Sequence, residues 1–180
     1  MRIPYGSYIP QLDSSVYVAE GAKLVGNVSV GAHSSLWFNS VLRGDLAPVI
    51  IGARCNIQDG VVGHVADGLP LLLEDDISVG HSAIIHGCRI GRGTLIGMGA
   101  IVLNGAEIGE YALIGAGTIV TENKIIPPYT LALGSPARVI RELTEQDLLR
   151  MARTSESYVD KAREYLNSGG VSNGQNEGYL

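Results

Sequence analysis

Three of the four histidines, His64, His81 and His86, fall within one short stretch of the chain. The sequence on either side is aliphatic and rich in glycine. A single histidine in such a setting is most often an inert, hydrogen-bonded group, but three imidazoles close together are typical of a metal site. Three neutral imidazoles also leave a fourth position open for water, as in catalytic zinc centres. We therefore interpret the stretch as a candidate metal site for zinc, with iron or cobalt as alternatives that imidazole also suits.

The elements that must position these histidines are short segments that repeat about every six residues. Aliphatic residues recur at this spacing in two runs, Val18, Leu24, Val30, Leu36 and Leu42, and later Ile90, Ile96, Val102, Ile108, Ile114 and Val120. Six is a multiple of the two-residue period of a strand and not of the 3.6-residue period of a helix. The pattern is the signature of a hexapeptide β-helix, in which three segments form one triangular coil. We predict a mainly β fold, a parallel β-helix of about six coils with an N-terminal cap, over residues 1–143.

The six-residue period breaks between Leu42 and Ile51 and again between Ile57 and Val79. Breaks in a repeat fold are where functional residues are usually placed. The spacing of His64 and His86 corresponds to one coil plus a short loop insertion, so we expect these two side chains to be stacked neighbours about 5 Å apart.

His81 lies an odd number of residues before His86, so the two rings should diverge if they flank one corner. Both then cannot easily serve one metal within a single chain. If the protein forms a three-fold assembly, His81 of one chain can complete the site that His64 and His86 begin in its neighbour. His33, outside this stretch, is interpreted as an ordinary surface histidine.

The C-terminal part of the chain changes character. A proline-broken run follows Val120, and Thr144-x-x-Asp147 then has the form of a capping box. Apolar and small residues recur at helical spacing after it, at Leu148, Met151, Ala152, Ser155, Val159, Ala162 and Leu166. We predict a helix from about Glu145 to Leu166, a 144–166 unit packed on the outside of the β-helix, and a flexible, Gly- and Asn-rich tail over 167–180.

Composition narrows the function classes. The net charge is -5 and the pI is near 5.3, so no basic surface is available for nucleic acid or an anionic membrane. The start of the chain lacks the apolar core of a signal peptide and no run is long enough to span a membrane, which predicts a cytoplasmic protein. Cys55 and Cys88 are too few and too far apart for a disulfide framework. The expected partners are small molecules and further copies of the chain.

Four motifs in order resemble the γ-class carbonic anhydrases and their bacterial relatives. They are Trp37-Phe-Asn-Ser-Val-Leu-Arg-Gly-Asp45, Asn56-Ile-Gln-Asp-Gly60, Val79-Gly-His-Ser-Ala-Ile-Ile-His-Gly87 and Ile96-Gly-Met-Gly-Ala100. The resemblance implies a left-handed β-helix that forms a homotrimer with metal sites at the subunit interfaces. It also implies reversible hydration of CO2 to bicarbonate by a metal-bound hydroxide.

The resemblance also assigns roles residue by residue. His64, His81 and His86 match the metal ligands, with His81 contributed across the interface. Arg43 and Asp45 match an inter-subunit ion pair, and Gln58 and Asp59 match the polar residues of the active site.

The sequence departs from the family's archetype in two places. Leu46 stands where an acidic residue follows the Arg-Gly-Asp motif, and the loop 65–70 is short, with Asp67 its one charged residue, where the archetype has an acidic loop that shuttles protons. The chain therefore resembles a shorter subclass in which activity varies, and in which a helix tyrosine, here Tyr158, is a candidate pocket residue. Turnover should be slow, if it occurs.

Two other functions remain open. Hexapeptide β-helices also form acyltransferases, which bind acyl-CoA between chains and use one histidine as a general base. The segment Leu133-Gly-Ser-Pro-Ala-Arg138 resembles the one that closes the β-helix in those enzymes. The other hypothesis is that the chain is a non-catalytic metal-binding or scaffold homologue. The presence of three histidines favours a metal site, because an acyltransferase needs only one histidine.

Overall fold

The computed structural model describes residues 1–168, which form a stack of short parallel strands and one long helix. In chain order the elements are β1 (Arg2–Ile3), β2 (Gln11–Leu12), β3 (Tyr17–Val18), β4 (Lys23–Val30), β5 (Ser35–Leu36), β6 (Val41–Ile51), β7 (Asn56–Ile57), β8 (Val62–His64), β9 (Leu71–Leu73), β10 (Ser78–Val79), β11 (Ile84–His86), β12 (Arg89–Ile90), β13 (Leu95–Ile96), β14 (Ile101–Val102), β15 (Glu107–Ile108), β16 (Leu113–Ile114), β17 (Ile119–Val120), β18 (Ile125–Ile126), β19 (Thr130–Leu133), β20 (Arg138–Glu142) and α1 (Glu145–Asn167).

The strands stack in three faces. The first face has the order β3-β5-β7-β10-β13-β16-β19, and the antiparallel strand β20 closes it. The second face contains the start of β6 followed by β8, β11, β14 and β17; the third contains the end of β6 followed by β9, β12, β15 and β18. This is the predicted parallel β-helix with a C-terminal helix. It has about seven turns rather than six, because coils begin at β3 and continue to β19, beyond the strictest part of the repeat.

The repeated aliphatic residues form the core. On the first face Leu36, Ile57, Val79, Ile96 and Ile114 stack in register and are at most 1% exposed. Burial of each such side chain contributes roughly 1.5–3 kcal/mol to the free energy of unfolding. The hexad spacing therefore acts through one aliphatic side chain per strand that points inward.

The corners require backbone in the left-handed region. At the corner between the first and second faces, Gly99 and Gly117 have φ of +66° and +67°, which glycine adopts without steric cost. Other corner positions with positive φ are held by His33, Asn39 and Arg54. His33, which the sequence analysis interprets as an ordinary surface histidine, is exposed at its corner.

The loop insertion predicted after His64 follows β8, and Ala66 and Leu69 form a small antiparallel bridge within it. Because the insertion leaves and returns at one corner, β8 and β11 remain adjacent, and His64 pairs directly with His86. The coil spacing thus predicts the register of these two residues.

Helix α1 runs along the outside of the first face and contacts β3, β5 and β7. Thr144 caps it, and Thr144 and Asp147 form the predicted capping box. Ala162 packs against Tyr17 and Trp37 on the first face. The helix ends at Asn167, so the predicted tail lies, from residue 169 onward, outside the described residues.

Two further observations bear on the composition argument. Among residues 1–168 no helix combines the length and apolarity needed to cross a membrane. Cys55 and Cys88 are buried free thiols, and burial raises the pKa of each to about 12. Both are therefore uncharged and unreactive at neutral pH.

Candidate metal centre

His64 and His86 form a close pair at the end of the second face. His64 is the last residue of β8 and His86 the last of β11. Nδ1 of His64 lies 3.0 Å from Nε2 of His86, and the ring centroids are 4.9 Å apart. The separation matches the spacing between adjacent coils, as expected.

Each imidazole has its other nitrogen against an oxygen. Nε2 of His64 lies 2.9 Å from Oδ1 of Asp45, and Nδ1 of His86 lies 2.5 Å from Oδ1 of Asn104. An ionised carboxylate can only accept hydrogen bonds, so Nε2 of His64 carries a proton, and His86 carries its proton on Nδ1 when it donates to the Asn104 carbonyl. In neutral rings the two inner nitrogens then carry lone pairs, and these lone pairs converge. In this arrangement the two lone pairs repel each other, and a cation bound by both rings would relieve that repulsion.

The charge on Asp45 supports this assignment. Burial raises the pKa of Asp45, but hydrogen bonds from His64 and Arg43 outweigh that effect and lower the pKa below its ordinary value. Arg43 and Asp45 form an ion pair within the chain. The carboxylate is therefore ionised at neutral pH and available to orient His64.

The donor set fits a divalent transition metal. Two imidazoles bound tetrahedrally at about 2.0–2.1 Å would have their nitrogens about 3.3–3.4 Å apart, a few tenths of an ångström more than in this pair. Metal binding would therefore require the two rings to rotate apart by that amount. An oxygen acceptor on the outer nitrogen of each histidine is also the usual arrangement around metal-bound imidazoles. Within one chain, residues 1–168 contain no group of three His, Cys, Asp or Glu side chains placed to hold a metal, so this chain alone offers the pair.

His81 lies apart from the pair, in the corner between β10 and β11. Its Nδ1 is 2.8 Å from Oδ2 of Asp59, and its Nε2 is 3.4 Å from the hydroxyl of Tyr158 on α1. The His81 side chain is 43% exposed. The sequence prediction that His81 and His86 diverge agrees with these contacts. The structure thus brings the predicted site residues together in two clusters, one around the His64/His86 pair and one around His81.

Gln58 belongs to the second cluster and is fixed in orientation. Its Oε1 accepts a hydrogen bond from the backbone N–H of His81 at 3.2 Å, and its Nε2 donates to Oδ1 of Asn56 at 3.0 Å. Asn56 in turn donates to Ser78 at 2.7 Å. In this buried polar ladder, the second amide proton of Gln58 has no hydrogen bond among residues 1–168.

The hydroxyl of Tyr158 lies beside the His81 ring. Burial, and then the charge of Asp59, raises the pKa of Tyr158 above its ordinary value. The phenol is therefore neutral at physiological pH and can donate a hydrogen bond. Trp37 packs edge-on against the Tyr158 ring, with centroids 5.3 Å apart, which fixes the position of the ring.

Sequence reasoning missed Asn104. It lies one coil, 18 residues, after His86. Adding the coil period to each predicted ligand would have identified it, because residues one coil apart stack at the same corner. An amide following a turn otherwise has no distinguishing feature in the sequence.

The outer side of the second face carries a row of branched aliphatic side chains. Val62 and Ile84 are 41% and 38% exposed, and Val41, Ile101 and Ile119 continue the row. Because strand residues alternate in direction, His64 points to the same side as Val62, and His86 to the same side as Ile84. The equivalent row on the third face is mixed: the charged residues Arg89 and Glu107 interrupt the aliphatic residues Ile50, Leu72 and Ile125. The histidine pair therefore lies at the edge of an apolar surface.

Comparison with known proteins identifies several likenesses. Residues 87–122 match the family model of the bacterial transferase hexapeptide with six repeats. A carbonic anhydrase of Geobacillus kaustophilus is 48% identical over 165 residues, covering 92% of this chain and 91% of that protein. The mitochondrial γ carbonic anhydrase 2 of Arabidopsis thaliana is 36% identical over 86% of this chain and 58% of its own length.

A solved structure from Bacillus cereus, provisionally titled an acetyltransferase, is 50% identical and superimposes with a TM-score of 0.92, covering 93% of this chain and 97% of that one. The names of these relatives thus divide between two chemistries on the same fold, and the fold itself cannot choose between them. The choice depends on the side chains of the site.

Proposed function

Since the chain belongs to the family of γ-class carbonic anhydrases and their hexapeptide-repeat relatives, we propose that it is a metal-dependent enzyme for the reversible hydration of CO2 to bicarbonate. The observation that carries the proposal is the His64/His86 pair, whose outer nitrogens meet oxygens and whose inner nitrogens face each other at 3.0 Å. An acyl-transfer site has no use for two converging imidazole lone pairs. The proposed cation is zinc, with iron or cobalt as alternatives.

The proposal includes a homotrimer with one site at each interface. The aliphatic row on the second face needs a cover, and a second copy of the chain is the proposed cover. His64 and His86 lie at the edge of this row, and His81 projects from the corner that adjoins the same face. A neighbouring chain that packs here can bring its His81 to the pair and complete a set of three imidazoles.

A divalent metal held by three imidazoles would supply Lewis acidity that makes hydroxide available at neutral pH. The chain's own residues would do the rest. Asp45 holds His64 in the tautomer whose Nδ1 lone pair is available to the metal. Arg43 would orient Asp45 through their ion pair, and its positive charge would attract the bicarbonate product. The free amide proton of Gln58 and the neutral hydroxyl of Tyr158 are donors that can orient oxygen atoms beside His81, and Asp59 fixes the His81 ring.

Release of a proton to solvent is the step that we expect to limit turnover in this site. Leu46, which is 58% exposed, follows Asp45 directly, and the loop after His64 contains Asp67 as its one carboxylate. No acidic relay therefore leads from the site along this loop to solvent. We expect turnover that rises with the concentration of an external buffer, and that stays slow at low buffer.

Acyl transfer is the second candidate. One contact favours it: the 2.8 Å pairing of His81 with Asp59, which would orient the imidazole as a general base. In that mechanism the His64/His86 pair has no role. A catalytically silent metal-binding homologue is the third possibility, and it differs from the first by activity alone.

One experiment separates these functions. CO2 hydration and acyl transfer from acetyl-CoA are measured on the same preparation before and after dialysis against a strong chelator, and again after Zn2+, Fe2+ or Co2+ is restored. The proposal expects hydration that is lost and then recovered. Acyl transfer that ignores the chelator, without hydration, would refute it, and tight metal binding without either activity would identify the silent homologue. A cytoplasmic location remains a prediction from the sequence.

A further inference from the structure

Asn104 lies in the turn between β14 and β15, one coil beyond His86, and is partly buried. Its Oδ1 is 2.5 Å from Nδ1 of His86. Gly87 makes this approach possible: it has φ of +51°, and a Cβ at that position would lie 2.8 Å from the same Oδ1. The backbone next to His86 is thus shaped to admit the amide.

The hydrogen bond to Asn104 decides which nitrogen of His86 carries the proton. The tautomer of neutral His64 is determined by Asp45, because the carboxylate can only accept a hydrogen bond from Nε2–H. Nδ1 of His64 therefore keeps its lone pair. If His86 carries its proton on Nδ1, it donates to Asn104 and turns a second lone pair toward His64. If the proton is on Nε2, His86 donates to His64 instead, and an ordinary hydrogen bond closes the pair against a cation.

We propose that Asn104 is a positioning residue that holds His86 as the Nδ1–H tautomer and so keeps its Nε2 free for a cation. The inference rests on the proposed metal function and adds a residue to it that none of the motifs contains. Asn104 acts through His86 and does not itself bind the metal. Its effect is to remove the competing His86–His64 hydrogen bond, which a cation would otherwise have to break.

The two histidines have orienting partners of different charge. His64 is oriented by a carboxylate and His86 by a neutral amide. Asn104→Asp keeps an acceptor at the same place and adds a negative charge near the cation. Asn104→Leu keeps a similar shape without an acceptor. Affinity for the cation should therefore rank Asn104→Asp at or above the parent, and Asn104→Leu below it.

The test measures Zn2+ affinity by competition with a chromophoric chelator, on the full chain in its native assembly. Asn104→Leu should weaken binding by about 10- to 100-fold, as loss of an orienting partner commonly does, and Asn104→Asp should bind at least as tightly as the parent. Glu122→Leu is the matched control, since Glu122 occupies the same corner one coil further on, two coils from His86, and is exposed. It should bind Zn2+ like the parent. Thermal unfolding of each variant identifies any loss of fold.

A second readout is independent of zinc and of activity. In metal-free, 15N-histidine-labelled protein, the ring nitrogen shifts of His86, assigned with His86→Gln, should report the Nδ1–H tautomer in the parent and in Asn104→Asp, and the Nε2–H tautomer in Asn104→Leu. Parent-like zinc affinity in Asn104→Leu, or an Nε2–H tautomer in the parent, would overturn the inference. A parent that binds no Zn2+ but shows the Nδ1–H tautomer would overturn the metal function and leave the contact established.

Discussion

A mixed assembly of two defective chains should recover metal sites if each site is shared between chains. His81→Ala removes the ligand offered to the neighbour, and His86→Ala removes half of the chain's own pair. The structure supports this division, because His81 contacts Asp59 and Tyr158 while His86 contacts His64. Neither variant alone can form a three-imidazole site.

The expected recovery follows from the geometry of a closed trimer. In any ring of three that contains both chains, about one of the three interfaces has the intact pair on one side and the intact His81 on the other. Mixed trimers isolated through two different affinity tags should therefore hold about one tight Zn2+ per trimer, against about three in the parent. Each single-variant trimer should hold none after dialysis against a competing chelator.

The assay is metal analysis of the doubly purified trimers, with CO2 hydration measured in parallel at about one third of the parent rate per trimer. A control mixture of the parent with a tagged parent checks that the tags do not disturb assembly. Absence of tight metal in the mixed trimers would refute the shared site. A monomer in sedimentation that still binds one metal tightly would refute the trimer as well.

Three further predictions follow. Deletion from Thr144 onward should lower the melting temperature by many degrees or yield insoluble protein, because it uncovers Tyr17 and Trp37; a truncated protein that melts like the parent would show α1 to be peripheral. The pKa of Asp147 is held below its ordinary value by hydrogen bonds from Arg141 and then Thr144, so its stabilising effect is present above about pH 4 and is lost as the pH falls below that value. Asp147→Asn should accordingly flatten the acid side of the stability curve in chemical unfolding, and an unchanged curve would contradict the assignment. Gln58→Ala should retain the metal and lower the rate of CO2 hydration by about 10- to 100-fold, whereas loss of metal would assign Gln58 a structural role.

The sequence alone determines most of the fold. The hexad period places one aliphatic side chain inward per strand, and Ile57, Ile96 and Ile114 are indeed fully buried. The capping box predicts the start of α1 to the residue. These features are readable because they depend on local period and on contacts between residues close in the chain. The hexad period predicts the number of coils less well, because the first and last coils depart from the strict repeat.

The pairing of His64 with His86 was also available from the sequence, because it requires only the coil period and one insertion. What the tertiary structure decided is the set of partners around each ring. Asp45 on His64, Asn104 on His86, and Tyr158 on His81 come from different coils or from α1. The coil period places Asn104 at the same corner as His86, but it encodes neither the side-chain direction at a corner nor how the helix lies across the first face. The protonated nitrogens, and hence the chemistry of the pair, are therefore a property of the folded molecule.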